Sequence, residues 1–204
     1  MHARSTTIKA DPDNLDAGIA FTRDEVMPAI QQIDGCIGLS MLTDRESGRC
    51  IVTTSWADAD AMRAATEDVH PIRLMQALGA QGLDIQEWEI AVLHRERPAG
   101  DGAGAGAWAR IPPNHLNELL DAYRHNLMPR LQDLMGFDSL SMLVDRRTGR
   151  TVSVTAFETR DALALVRKQA RHLREQFAQA RGARITDIAE MDLAVAHLRV
   201  PETV

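Results

Sequence analysis

The sequence predicts an α+β fold: two ferredoxin-like βαββαβ repeats packed sheet to sheet. Three observations carry this expectation. The chain matches itself at an offset of 101 residues, each copy runs through the same order of strand-like and helix-like periods, and a Gly/Ala tract separates the copies.

The repeat is read directly from the residues. Gly35-Cys-Ile-Gly-Leu-Ser-Met-Leu-Thr-Asp-Arg-Glu-Ser-Gly-Arg49 lies on Gly136-Phe-Asp-Ser-Leu-Ser-Met-Leu-Val-Asp-Arg-Arg-Thr-Gly-Arg150. From Met27 to Met62, 15 of 36 positions are identical without a gap. Towards the end of each copy the offset becomes 103, which sets Ile85 on Ile188, Glu87 on Glu190 and His94 on His197. The domain plan that follows is residues 1–96 as the first repeat, 97–107 as a Gly/Ala-rich linker and 108–204 as the second repeat.

Each copy opens with a short strand, near Thr6–Ala10 and Trp108–Ile111. An amphipathic helix follows. Leu15, Ile19, Val26, Ile30 and Ile33 mark its apolar face in copy one; Leu116, Leu120, Tyr123, Leu127, Leu131 and Leu134 mark it in copy two. Pro28 and Pro129 fall inside these patterns, and each removes a backbone donor, so a kink is expected at the same place in both copies. Gly35 and Gly136 suit the helix exits. A hairpin comes next, turning at Asp44-Arg-Glu-Ser-Gly48 and at Asp145-Arg-Arg-Thr-Gly149. The second helix, near 58–78, is interrupted at Pro71, whereas its counterpart near 160–181 is not. A last strand closes each copy, near 85–94 and 188–197. A sheet with helices on one face leaves the other face apolar, and packing against its twin would bury it.

Composition narrows the function. The chain has 204 residues, enough for two domains of roughly 100 each, and 45% of them are hydrophobic, as in an ordinary soluble protein. A net charge of −6 argues against a nucleic-acid partner. No apolar run approaches the ~20 residues of a membrane span, so no membrane partner is expected. Met1-His2-Ala3-Arg4-Ser5 lacks a hydrophobic signal core, which points to the cytoplasm. Cys36 and Cys50 are too few for a disulfide scaffold. With Thr43 opposite Arg49, Cys36 falls opposite Trp56 and Cys50 opposite Leu42, too far apart along the hairpin for a bond. The same register sets Phe137 opposite Phe157.

These residues and their order resemble the dimeric α/β-barrel superfamily in a fused, pseudo-dimeric form. Within it they resemble the antibiotic-biosynthesis-monooxygenase-like domains. The features that carry the resemblance are Gly35, Gly48, Trp56 at the end of the third strand and the Ala/Met-rich helix after it, matched by Gly136, Gly149 and Phe157. The resemblance implies a pseudo-dimeric α/β barrel, either monomeric or a homodimer of that unit. It also implies a cofactor-free oxygenase acting on a small aromatic or polyketide-like molecule, with no cofactor. Haem-degrading relatives use an Asn, a Trp and a His. Trp56 and His70 could match two of these, but no Asn lies in Thr6–Ala10, which leaves haem the weaker alternative. A noncatalytic binding module for a small hydrophobic molecule or haem, and a purely structural barrel, also remain open.

The candidate site residues are few. His70, ahead of Pro71, is placed to act as a general base or to ligate a metal or haem iron, though a solvent-exposed or capping role is the simpler explanation. Trp56 and Phe157 are candidate pocket walls for a flat substrate, though core packing is the simpler explanation of both. No metal site is expected, because His94 and His197 lack further ligands at metal-binding spacing. Glu87, Glu89, Glu190 and Asp192 are expected to pair with hairpin arginines such as Arg45 and Arg146. Arg160, Arg167, Arg171, Arg174 and Arg181 read as the solvated face of the last helix.

Overall fold

The computed structural model describes residues 1–65, 71–80, 82–96 and 102–198. The strands are β1 (His2–Lys9), β2 (Cys36–Asp44), β3 (Arg49–Trp56), β4 (Leu83–Arg95), β5 (Gly102–Arg110), β6 (Phe137–Asp145), β7 (Arg150–Phe157) and β8 (Arg184–Leu198). The α-helical segments are α1 (Leu15–Phe21), α2 (Met27–Ile30), α3 (Ala59–Ala64), α4 (Pro71–Ala77), α5 (Leu116–Ala122), α6 (Met128–Gln132) and α7 (Arg160–Ala180). Their order is the expected strand–helix–strand–strand–helix–strand, twice. The hydrogen-bonded strand order, β1-β3-β2-β8-β5-β7-β6-β4, closes on itself as a barrel. The fold class is therefore the pseudo-dimeric α+β barrel of two repeats.

The chain divides into two compact units. The first holds Met1–Trp88 and the part of β8 from Asp192 onward; the second holds the rest of β4 and Gly102–Met191. The long strands β4 and β8 are each split between units. Thus β2 pairs with the C-terminal half of β8, as in Leu39↔His197, and β6 pairs with the C-terminal half of β4, as in Leu140↔His94. The core of the first unit includes Ile8, Leu15, Leu39, Met41, Val52, Leu78 and Val195. That of the second includes Leu116, Tyr123, Leu131, Phe137, Leu140, Phe157, Leu163 and Leu173.

Three local outcomes differ from the sequence reading. First, the two prolines do not simply kink a helix. A π-helical turn, Thr22–Val26 or Tyr123–Leu127, precedes each Met-Pro pair. Met27 N–H reaches Thr22 O and Met128 N–H reaches Tyr123 O, one residue further back than in an α-helix. The wider turn makes room where a proline ring would crowd the preceding turn. Second, the hairpin register is one residue off at the loop, with Thr43 opposite Cys50. A bulge between Cys36 and Gly38 then restores Cys36 opposite Trp56. The equivalent bulge sets Phe137 opposite Phe157, and neither cysteine forms a disulfide.

Third, residues 102–107 of the expected linker are not a linker. They form the first part of β5, paired with β7 from Ala103↔Phe157 to Arg110↔Arg150. Ala103, Ala105 and Ala107 alternate along the strand and are all buried. Glycines alternate with them, and a Cβ on Gly106 would stand 2.7 Å from the Trp108 ring. The tract is small because neighbours lie close. It had no hydrophobic contrast to mark it as a strand.

Candidate functional site

Helix α7 crosses over β5 and the start of β8, all within the second unit. Thr159 caps α7 by accepting from Ala162 N–H. Between helix and strands lies a cleft of about 820 Å³. Leu163, Ala170, Ile185 and Ile188 supply apolar surface, and Ala105 of β5 lies among the lining residues. A larger residue at 105 would occupy part of that space. Next to it is a second, narrow cavity of about 40 Å³, bounded by Leu119, Tyr123, Met142, Ser153 and Phe177. Arg174 lines both.

Three α7 arginines in the cleft have different partners. Arg167 pairs with Glu190 of β8 at 2.7 Å, and Arg171 with Glu175 one turn on, also at 2.7 Å. Arg174 is only 5% exposed, and its Nε and Nη2 are buried with no hydrogen-bond partner among the described residues. The expectation that all these arginines face solvent therefore fails at Arg174. Burial pulls its guanidinium pKa below the ordinary value, while Tyr123 and Glu190 act in the opposite sense. The site is thus a cleft of mixed polar and apolar lining, with the desolvated Arg174 cation at its inner end and Lys168 also among its lining residues.

Tyr123 completes this end. Its hydroxyl bonds to Ser153 Oγ at 2.7 Å, and its ring meets Phe177 edge-on at 6.0 Å. Burial raises the phenol pKa, although the Ser153 bond and the nearby Arg174 charge oppose it, so Tyr123 is a neutral hydroxyl at neutral pH. At the offset of 101 these positions are Thr22 and Val52 in copy one, so the Tyr–Ser pair belongs to copy two alone.

The antibiotic biosynthesis monooxygenase family matches residues 1–70. The chain is 48% identical over 207 residues to the uncharacterised protein Rv2558 of Mycobacterium tuberculosis, covering 100% of this chain and 88% of that one. Its fold is similar to a candidate monooxygenase of Lactobacillus acidophilus, with a TM-score of 0.72 at 7% identity, covering 97% of this chain and 96% of that one. It is also similar to an anthrone oxidase-like protein, with a TM-score of 0.66 at 13% identity over 99% and 95% of the two chains. The chain belongs to the antibiotic biosynthesis monooxygenase-like family. The family match falls on its first repeat.

The sequence-read candidates of this monooxygenase-like chain lie elsewhere. Trp56 is fully buried beside Met62 and Ala65, and its indole N–H donates to Thr54 Oγ1 at 3.0 Å. Phe157 is 1% exposed in the core of the second unit. Neither lines the two cavities. His70 lies outside the described residues. Of the expected ion pairs, Arg146 grips both oxygens of Glu89, at 2.5 and 2.8 Å. Glu87 instead pairs with Arg4, and Arg45 with Asp16. Gln132 Nε2 donates to His94 Nε2 at 2.8 Å, and the His94 ring stacks on Phe137.

Haem is not accommodated by this cleft. Neither cavity is lined by a His or a Cys, and the neutral Tyr123 hydroxyl is already bonded to Ser153. Met142 lies on the narrow cavity, which is far too small for a macrocycle. No group of three metal-binding side chains occurs among the described residues. No described helix is long and apolar enough to cross a membrane.

Sequence reasoning missed Arg174, Tyr123 and Ser153 as site residues. A signal for Arg174 was present. It falls four residues after Ala170 and three before Phe177, on the apolar stripe of its helix.

Proposed function

We propose that this tandem monooxygenase-like protein takes a small, flat aromatic or polyketide-like molecule into the α7–β5–β8 cleft and oxidises it with molecular oxygen. The observation that supports this most is the cleft itself. Its volume of about 820 Å³ suits a molecule of two or three fused rings. Oxidation of an activated methylene needs little from the protein. The carbon gives a proton to a base, the carbanion reduces oxygen, and an apolar wall keeps water from the intermediate. Asp187 and Glu190 are the carboxylates that line the cleft. For anthrone the balance is one O₂ consumed, one quinone carbonyl oxygen gained and one water released.

The test is oxygen uptake with anthrone. The reading expects uptake and anthraquinone formation above the spontaneous rate, in equal amounts. A rate equal to the uncatalysed one, with anthrone still bound, favours a noncatalytic binding module. One observation supports that second reading: Glu190 is already held by Arg167 at 2.7 Å. Mass and visible spectra of the protein as purified extend the test. A co-purified aromatic compound supports either reading of the cleft, and a haem band contradicts both.

A further inference from the structure

We propose that Arg174 makes this cleft a receptor for an aromatic anion: a flat apolar body carrying one carboxylate, or one ionised phenol or enol. The proposal deepens the reading of the cleft as a binding site and rests on it.

The first observation is the unmet hydrogen-bonding capacity of Arg174. A guanidinium has five N–H donors in a planar fork and keeps its proton in proteins. Here Nε and Nη2 are buried and unpartnered among the described residues. Leaving charged donors dry and unanswered is costly, so an acceptor that reaches them is strongly favoured. A carboxylate matches the fork with two parallel hydrogen bonds, which a neutral amide cannot do.

The second observation is the pattern of charges around it. Arg167 and Arg171 already have carboxylate partners, on β8 and α7 respectively. Glu190 attracts Arg174 through space, but its hydrogen bond goes to Arg167. Lys168 also lines the cleft but is exposed, so Arg174 is the buried cation left for a ligand. The third observation is the apolar part of the cleft's mixed lining. Leu163, Ala170 and Ile185 line the cleft, and Phe177 lines the adjoining cavity. A small hydrated anion gains nothing from such walls, whereas a ring system does.

The same arrangement fits the proposed chemistry. A buried cation lowers the cost of forming a phenolate or enolate beside it. Arg174 then touches the charged atoms of the substrate, while the acceptor of the proton is another group.

The experiment is calorimetric titration of the intact protein with 2-naphthoate and with its neutral counterpart 2-naphthamide. The expected result is that naphthoate binds about tenfold more tightly or better, the size expected of a charge-assisted hydrogen-bonded pair. In Arg174→Met the two probes should bind alike, while Arg160→Gln, on the same helix but outside the cleft lining, should retain the preference. Equal binding of both probes by the unmodified protein overturns the anion proposal and leaves the cleft reading standing. Binding of neither probe overturns both. The comparison in the unmodified protein needs no variant to fold.

Discussion

Arg167 and Arg174 lie two turns apart on α7 and have opposite surroundings. The first is half-exposed and paired with Glu190; the second is buried and unpaired among the described residues. Tyr123 and Ser153 sit beside the second, and their bond predicts a measurable cost. Tyr123→Phe leaves Ser153 without its partner and should lower stability by about 1–2 kcal/mol in a denaturant titration. Cys50 gives a pH prediction. Burial pushes its thiol from about 9 up to about 11. Between these values the unfolded chain ionises Cys50 and the folded chain does not. This contribution to stability is therefore complete below pH 9 and falls as the pH rises through the window. At pH 8 a thiol reagent should leave Cys50 unlabelled in the native protein and label both cysteines in denaturant; fast native labelling of Cys50 would contradict its burial. At this scale the sequence was partly legible. The Cys36–Trp56 and Phe137–Phe157 pairs were readable because a bulge cancels the slip at the loop. Arg174 was not read correctly because its charge suggested solvent while its spacing placed it on the apolar stripe.

At the scale of elements, β5 matters most. Its Gly/Ala alternation is a strand period written in small residues, without the contrast between faces that hydrophobic pattern reading relies on. Ala105 belongs to the cleft wall, so Ala105→Leu should fill it and abolish naphthoate binding while far-ultraviolet circular dichroism stays native. Unchanged affinity would remove β5 from the site. The hairpin turns were legible, though not their register, since an Asp and a Gly recur at matching positions. Asp145 accepts from Arg147 N–H and Thr148 N–H, and Gly149 adopts φ 69°. A Cβ on Gly149 would press on the Ile111 carbonyl. Gly149→Ala should therefore cost more than the roughly 1–2 kcal/mol of left-handed backbone strain alone, measurable as a fall in denaturation midpoint. The π-helical turns were not legible, because a proline announces a lost hydrogen bond but not how the helix accommodates it.

At the scale of the whole molecule, the repeat predicted two βαββαβ copies, and the structure adds how they share strands. β4 and β8 each contribute to both units, and β2 depends on β8 for one of its ladders. A chain ending at residue 183 uncovers strand edges in both units. It should lack a single cooperative thermal transition, and residues 1–96 alone should self-associate in sedimentation experiments. A monomeric, cooperatively folding 1–96 fragment would contradict the shared-strand arrangement. Duplication also let the copies diverge. Arg73 stands at the position of Arg174, but Thr22 and Val52 replace Tyr123 and Ser153, which leaves the Tyr–Ser pair to copy two.

The site in copy two is tested most directly by a crystal structure of the protein with 2-naphthoate. The ring system should lie between α7 and β8 beside Ala105, with its carboxylate on Nε and Nη2 of Arg174. Naphthoate bound elsewhere, or in the cleft with its carboxylate turned away from Arg174, would contradict the assignment.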